Sequence, residues 1–432
     1  MNRLMLYLPL VLLSACATVS NAAAPSEAAP ASKPASPLDM RIEQLIPLVS
    51  GKIAPEDYVT PNFLQVLPSD QFAAVLKTLV GQIGQPMKIV EVERFGPNLA
   101  RVTMEFEKAI APIEIRIEAH TPHLVSELLV KPPVMKGDDI TKISADFKAL
   151  PGRSGYLVQR LDGSERSELN EQEQFAIGST FKLYVLAELA SQIEAGQRKW
   201  SDVVPLDARA YSSSATQGWP RGTPVTLQTL ATWMISVSDN AATDELLRVL
   251  GRDAVEQKLA SIGHSAPDKA LPLLTTVEAF ALKSNPALRA RFEKASEAQQ
   301  RDILDNEAAA LSYDGVDLSR FGSGPVAIDS IEWFASPADI ALLMNHLRRI
   351  DSKTALDIMA VNKGVAPASA AKWMYLGYKG GSEPGVIAMS FLAQSKAGDW
   401  YAISGAWNNP AKDVDNAAFA ALMTRLLDSV VN

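Results

Sequence analysis

Phe175-Ala176-Ile177-Gly178-Ser179-Thr180-Phe181-Lys182 runs into an apolar pattern through Leu186, Leu189 and Ile193. The later spacing is helical, so the segment predicts an approach that opens into a long helix with Ser179 at its N-terminus. Backbone N–H groups are free there and stabilise negative charge. Lys182 lies three residues on, one turn away and on the same face, within reach of the Ser179 hydroxyl proton. A hydroxyl beside a desolvated, neutralisable amine is a workable nucleophile and base.

The S-x-x-K pattern is weak alone, and the chain carries a second copy from Ser369 to Lys372. What singles out Ser179 is company. Ser238-Asp239-Asn240 follows a helical pattern through Leu227, Leu230 and Met234, and Lys379-Gly380-Gly381-Ser382 precedes an apolar strand from Val386 to Leu392. Taken singly, the first of these also suits a helix cap and the second a turn before a strand. Together, and in this order, they resemble the signature elements of the class A β-lactamases and penicillin-binding proteins.

The resemblance extends from about Ser154 to Asn432. The stretch Ser236 to Asp244 followed by Leu246 and Leu247, the Ser336-Pro337-Ala338-Asp339 helix start, a strand from Trp400 to Trp407 and an amphipathic helix from Ala417 to Leu427 all look like parts of that family. It implies an α/β (α+β) domain: a five-stranded antiparallel sheet flanked by helices, a helical lobe carrying Ser179 and Ser238, and an active site in the cleft between them. In that scheme Ser179 is acylated and Lys182 takes its proton. Ser238, held by Lys182 and Lys379, relays a proton to the leaving nitrogen. Asn240 holds the substrate's side-chain amide and Lys379 meets its carboxylate. Gly381 and Ser382 complete the substrate site, with the N–H groups of Ser179 and Ser382 as oxyanion hole.

The sequence departs from the family in two places. The E-x-x-L-N loop that supplies class A enzymes with a deacylating glutamate is not found. Leu273-Thr275-Thr276 leads instead into a segment from Glu278 to Leu311 that looks like extra helix, and Asp314, Asp317, Asp329 and Glu332 lack the surroundings of such a base. Gly380 stands where the family has threonine, which removes a hydroxyl and leaves Ser382 to compensate. The expected activity is a serine hydrolase acylated at Ser179 by a β-lactam or a related amide or ester, with slow deacylation. A D,D-peptidase acting on peptidoglycan and a non-catalytic cell-envelope binding lipoprotein are the alternatives. His264 and His346 sit in no triad context, and no phosphate loop, dinucleotide fingerprint or clustered metal ligands are present, so no cofactor or metal is expected.

The first third reads differently. Arg3 precedes an apolar run from Leu4 to Leu13, too short to span a bilayer but suited to a signal peptide. Leu13-Ser14-Ala15-Cys16 resembles a bacterial lipobox, and Cys16 is the single cysteine among 432 residues. Residues 1–16 are therefore expected as a lipoprotein leader, and 17–37, rich in Ala, Pro and Ser, as a tether. The protein is then periplasmic and held to a membrane by lipid alone, at an outer membrane in a Gram-negative host. Cleavage after Ala22-Ala23-Ala24, giving a soluble form, is the alternative.

Residues 38–133 predict a small α+β domain, with Asp70 capping a helix through Phe72, Val75, Leu76 and Leu79. Two antiparallel strands follow, built on Val102, Met104 and Phe106 and on Ile113, Ile115 and Ile117, then a third through Leu124, Leu128 and Val130. The shape resembles cystatin-like or NTF2-like domains, and such a domain ahead of the catalytic one resembles a two-domain subfamily of β-lactamase-related hydrolases. His120 and His123 are spaced like a metal half-site without further ligands beside them. Pro132-Pro133 marks the boundary, and 138–432 is the hydrolase domain. A net charge of -8 offers no field for nucleic acid, so the expected partner is a small-molecule substrate.

Overall fold

The computed structural model describes residues 36–131, 133–322, 324–350 and 352–431. The leader 1–16 with Cys16, the Ala22–Ala24 alternative and nearly all of the linker 17–37 lie outside the described residues. The chain forms two units, one ending in Pro112–Lys131 after the residues up to Glu107, the other comprising Lys108–Ala111 and Pro132–Asn432. Among the described residues no helix is long and apolar enough to cross a membrane.

In the first unit, short helices precede the helix Ser69–Ile83 and a sheet whose strands Pro86–Arg94, Leu99–Phe106, Ala109–Ile117 and Val125–Val130 lie in sequence order. Alternation decides the middle pair: Val102, Met104, Phe106, Ile113, Ile115 and Ile117 are buried, while Arg101, Glu114 and Arg116 form ion pairs on the other face. Asp70 is not the helix cap. The helix begins one residue earlier, Pro68 occupies the cap position, and Asp70 sits in the first turn, where its charge favours the helix N-terminus. Val75 is 54% exposed, so only Phe72, Leu76 and Ile83 anchor this helix.

The second unit is built on an antiparallel sheet in the order Tyr375–Glu383, Val386–Gln394, Trp400–Asn408, Arg153–Arg160, Arg166–Leu169. Strand Val386–Gln394 is buried at every position but the last, because both sheet faces are covered. Ile140–Lys148 and Asn416–Asp428 cover one face through Ile143, Phe147, Phe391, Phe419 and Leu426. The helical lobe covers the other. At its centre the helix Lys182–Glu194 is buried without interruption from Lys182 to Ala190, as expected of a helix apolar on nearly all sides. The implied five-stranded sheet and helical lobe are both present.

The stretch from Glu278 to Leu311, expected as extra helix, forms mainly three helices, Thr276–Ser284, Pro286–Lys294 and Glu297–Asn306. Each is restarted by its own cap: Thr275 with Glu278, Asn285 ahead of Pro286, and Ser296 with Gln299. The second S-x-x-K copy is structural. Ser369 is buried against Asp428 of the last helix, and Lys372 lies 3.2 Å from the same carboxylate.

Candidate active site

Ser179 is placed by a short strand and a tightened turn. Phe175–Ala176 pairs with Phe334–Ala335, and the Ile177 N–H donates to Trp333 O at 2.9 Å. The chain then enters a 3-10 turn, Gly178–Phe181, before the α-helix starts at Lys182. Ser179 thus lies in a 3-10 turn ahead of the helix rather than in its first α-turn. Gly178 has φ +46° and touches the K-G-G strand, since a Cβ on it would lie 3.3 Å from the Ser382 nitrogen. From the opposite side, a Cβ on Gly381 would overlap Ile177 O and Ser179 N. Gly381 therefore lets the strand reach the Ser179 turn, and the N–H groups of Ser179 and Ser382 flank that contact.

Ser238 is held in a backbone conformation that serine seldom adopts, φ +62°, at a cost of about 1–3 kcal/mol. Its neighbours offset this. Asp239, fully buried, caps the helix Asn240–Leu250 through Ala242 N at 2.8 Å. It also accepts from Thr216 N at 2.9 Å and Thr216 Oγ1 at 2.7 Å. The Asn240 N–H donates to Ser213 O at 2.6 Å. So the aspartate of S-D-N braces the loop, and the serine is what it presents.

Two buried lysines converge on that serine. Lys182 Nζ donates to Ser238 O at 2.7 Å, Ser238 Oγ at 3.2 Å and Asn240 Oδ1 at 2.5 Å. Lys379 Nζ donates to Ser238 Oγ at 3.0 Å and Gly380 O at 2.5 Å. Burial pushes the Lys182 ammonium down to about 7, against the opposing pull of Asp244 and Asp239. Burial, with the Lys182 charge added to it, drives Lys379 well below the usual lysine range. One of the two amines is therefore readily neutral near pH 7, as a base requires. Both ends of the Asn240 amide are engaged within the protein: its Oδ1 accepts from Lys182 and its Nδ2 donates to Tyr211 O at 2.8 Å.

A cleft of about 400 Å³ opens over Ser179, Ser238, Lys379, Gly380, Gly381 and Ser382. Among the described residues lining it there is no Asp or Glu. Asp317 is engaged by Ser319 and Arg320, Asp329 by Arg153, and Glu332 by Lys283. This last contact belongs to a cluster that sequence reasoning missed. Lys283 Nζ lies 2.6 Å from Glu332 Oε1, and 2.5 and 2.6 Å from the two oxygens of Glu383. Burial, reinforced by the Glu332 charge, lifts the Glu383 carboxyl well above the usual range despite Lys283. The cluster ties the extra helices and the loop before Phe334 to the residue that follows Ser382. No local pattern announces it, because its members come from three distant segments. Among the described residues, no three His, Cys, Asp or Glu are grouped to hold a metal ion.

The model of the beta-lactamase enzyme family matches residues 138–363, more than half of the chain. The chain belongs to that family. The matched region holds Ser179 and Ser238 and ends before Lys379, which the fold brings back to them through the edge strand of the sheet. Among curated proteins, beta-lactamase VEB-1 of Pseudomonas aeruginosa is 25% identical over 132 residues, 29% of this chain and 44% of that relative. The match thus spans less than half the length of that beta-lactamase. Among solved structures, the beta-lactamase of Sphaerobacter thermophilus is similar at 21% identity, over 67% of this chain and 95% of that one, with a TM-score of 0.47. An ancestral class A beta-lactamase is similar at 18% identity, over 68% and 99%, with a TM-score of 0.48.

Proposed function

We propose that this chain is a serine acyl-transfer hydrolase whose Ser179 is acylated by a β-lactam, or by a related amide or ester, and whose acyl-enzyme is hydrolysed slowly. The observation that carries the proposal is the meeting of Lys182 and Lys379 on Ser238 Oγ, at 3.2 and 3.0 Å, in the cleft that Ser179 lines. Ser179 Oγ attacks the substrate carbonyl and its proton passes to neutral Lys182, while the N–H groups of Ser179 and Ser382 receive the oxyanion. When the C–N bond breaks, Ser238 donates its proton to the leaving nitrogen and is resupplied by the adjoining lysine. The product is an ester at Ser179. Water must then cleave that ester, and a cleft lined without a carboxylate offers this step no ready base, which favours a persistent adduct. The same feature keeps a D,D-peptidase or a β-lactam-trapping role as the second reading.

Intact-mass spectrometry after incubation with a penicillin and with a cephalosporin, on wild type and Ser179→Ala, tests this directly. A Ser179-dependent mass increase that outlasts the free drug supports slow deacylation. Rapid turnover of a chromogenic cephalosporin without a detectable adduct overturns that part, and no adduct with any acylating agent overturns the assignment of Ser179. We also propose that Cys16 carries a lipid anchor in the periplasm. Partition into a detergent phase that disappears in Cys16→Ser supports the anchor; partition unchanged by the substitution refutes it.

A further inference from the structure

The missing threonine of the K-G-G triplet has a substitute two residues earlier. In a strand, residues two apart share a face and are separated by about 6.7 Å, roughly the reach of a tyrosine side chain. Tyr378 and Gly380 stand in that relation on Tyr375–Glu383. A Cβ built on Gly380 would overlap the Tyr378 hydroxyl oxygen and lie 2.9 Å from the ring carbon that bears it. The phenol tip therefore occupies the space in which a side chain at 380 would begin.

The ring cannot easily leave. On one side it packs against its cross-strand partner Phe391, with centroids 5.1 Å apart. On another it presses against Gly364, where a Cβ would come within 2.5 Å of ring carbons. Tyr378 also lines the cleft, and Lys379 Nζ donates to the carbonyl of the same Gly380. An amine and a hydroxyl thus bracket one residue at the edge of the cleft. Ser382 lies on the same strand face beyond Gly380, exposed to solvent.

We propose that the Tyr378 hydroxyl, not Ser382, replaces the absent threonine and donates a hydrogen bond to the substrate's carboxylate beside Lys379. The inference rests on the acylation of Ser179 proposed above. Burial pushes the phenol up to about 12, so it remains a donor throughout the working pH range. Gly380 then has a cause: any larger residue would displace the hydroxyl that does its work.

The test compares a penicillin with its carboxylate methyl ester, following the rate of Ser179 adduct formation by mass spectrometry. Tyr378→Phe is expected to slow acylation by the acid about ten- to a hundred-fold, the range spanned by one hydrogen bond to a charged group, and to leave the ester's rate unchanged. Gly380→Thr alone should harm the acid's rate through overlap with the phenol. Combined with Tyr378→Ala, it should recover much of that rate by restoring a hydroxyl at the same place. Equal rates for wild type and Tyr378→Phe with the acid overturn the inference, as does an equal loss with acid and ester, which would mark a packing role. In both of those cases wild type still forms its adduct, so the Ser179 proposal stands. A wild type that forms no adduct with either compound sinks both.

Discussion

If neutral Lys182 is the base for Ser179, acylation must follow the deprotonation of a single buried amine. Its midpoint near 7 puts about one tenth of the molecules in the neutral form at pH 6 and about nine tenths at pH 8. The bimolecular rate of adduct formation should therefore rise about ten-fold between those values and flatten above them. The assay is stopped-flow or quenched mass spectrometry, with a penicillin whose own ionisation is constant over this range. Asp244→Asn removes the larger of the two charges that oppose the downward shift, so the midpoint should move to lower pH. The same amine affects stability. Between about 7 and its ordinary 10.5 it is neutral when folded and protonated when unfolded, so its contribution to stability rises with pH across that window. The rise is at most about 1.4 kcal/mol per pH unit. A rate independent of pH from 6 to 8, or a midpoint above 9, would refute the role of Lys182, as would an upward move in Asp244→Asn.

Other perturbations have equally definite outcomes. Asp239→Ala removes a helix cap and strands the buried N–H and hydroxyl of Thr216; a loss of about 4 kcal/mol in denaturant unfolding is expected, and a loss below about 1 kcal/mol would show that the loop is braced elsewhere. Gly381→Ala sets a methyl into Ile177 O and Ser179 N, so adduct formation should fall about a hundred-fold or more with the circular dichroism spectrum retained, and an unimpaired rate would contradict the close approach. Lys283→Met leaves Glu332 and Glu383 facing each other without their cation, costing about 3–5 kcal/mol near neutral pH. Because the folded Glu383 binds its proton more readily than the unfolded one, acidification should shrink that deficit; a deficit that grows on acidification would refute the account.

The site was legible in sequence wherever a feature is local. Ser179 with Lys182, Ser238 with its aspartate, and Lys379 ahead of an apolar strand each show themselves within four residues, and the strands around Met104, Ile115 and Phe391 show themselves by alternation or continuous apolar character. What stayed hidden depends on partners far along the chain. Strand Pro86–Arg94 is mostly exposed and bulged, so it has no period-two signature. The inward turn of Asn240 follows from where Lys182 and Tyr211 lie. The Lys283 cluster joins a helix, a loop and a strand edge, and the reach of Tyr378 over Gly380 is a matter of side-chain length that no motif encodes. Asp70 misleads for a simpler reason: Asp favours both the cap and the first turn, and only the position of Pro68 separates them.

The convergence of Lys182 from the lobe and Lys379 from the sheet on one hydroxyl makes reactivity a property of tertiary structure. Neither half holds the full set of groups: Lys182 and Ser238 come from the lobe and Lys379 from the edge strand of the sheet. A chain in which the lobe has parted from the sheet would lose the Lys379 contact to Ser238 Oγ and the close approach of Gly381 to Ser179, even with every helix intact. If Ser179 is acylated as proposed, a fluorescent penicillin applied across a denaturant series would count the molecules whose two halves are closed together, and would expose partial opening that a helix-sensitive signal passes over.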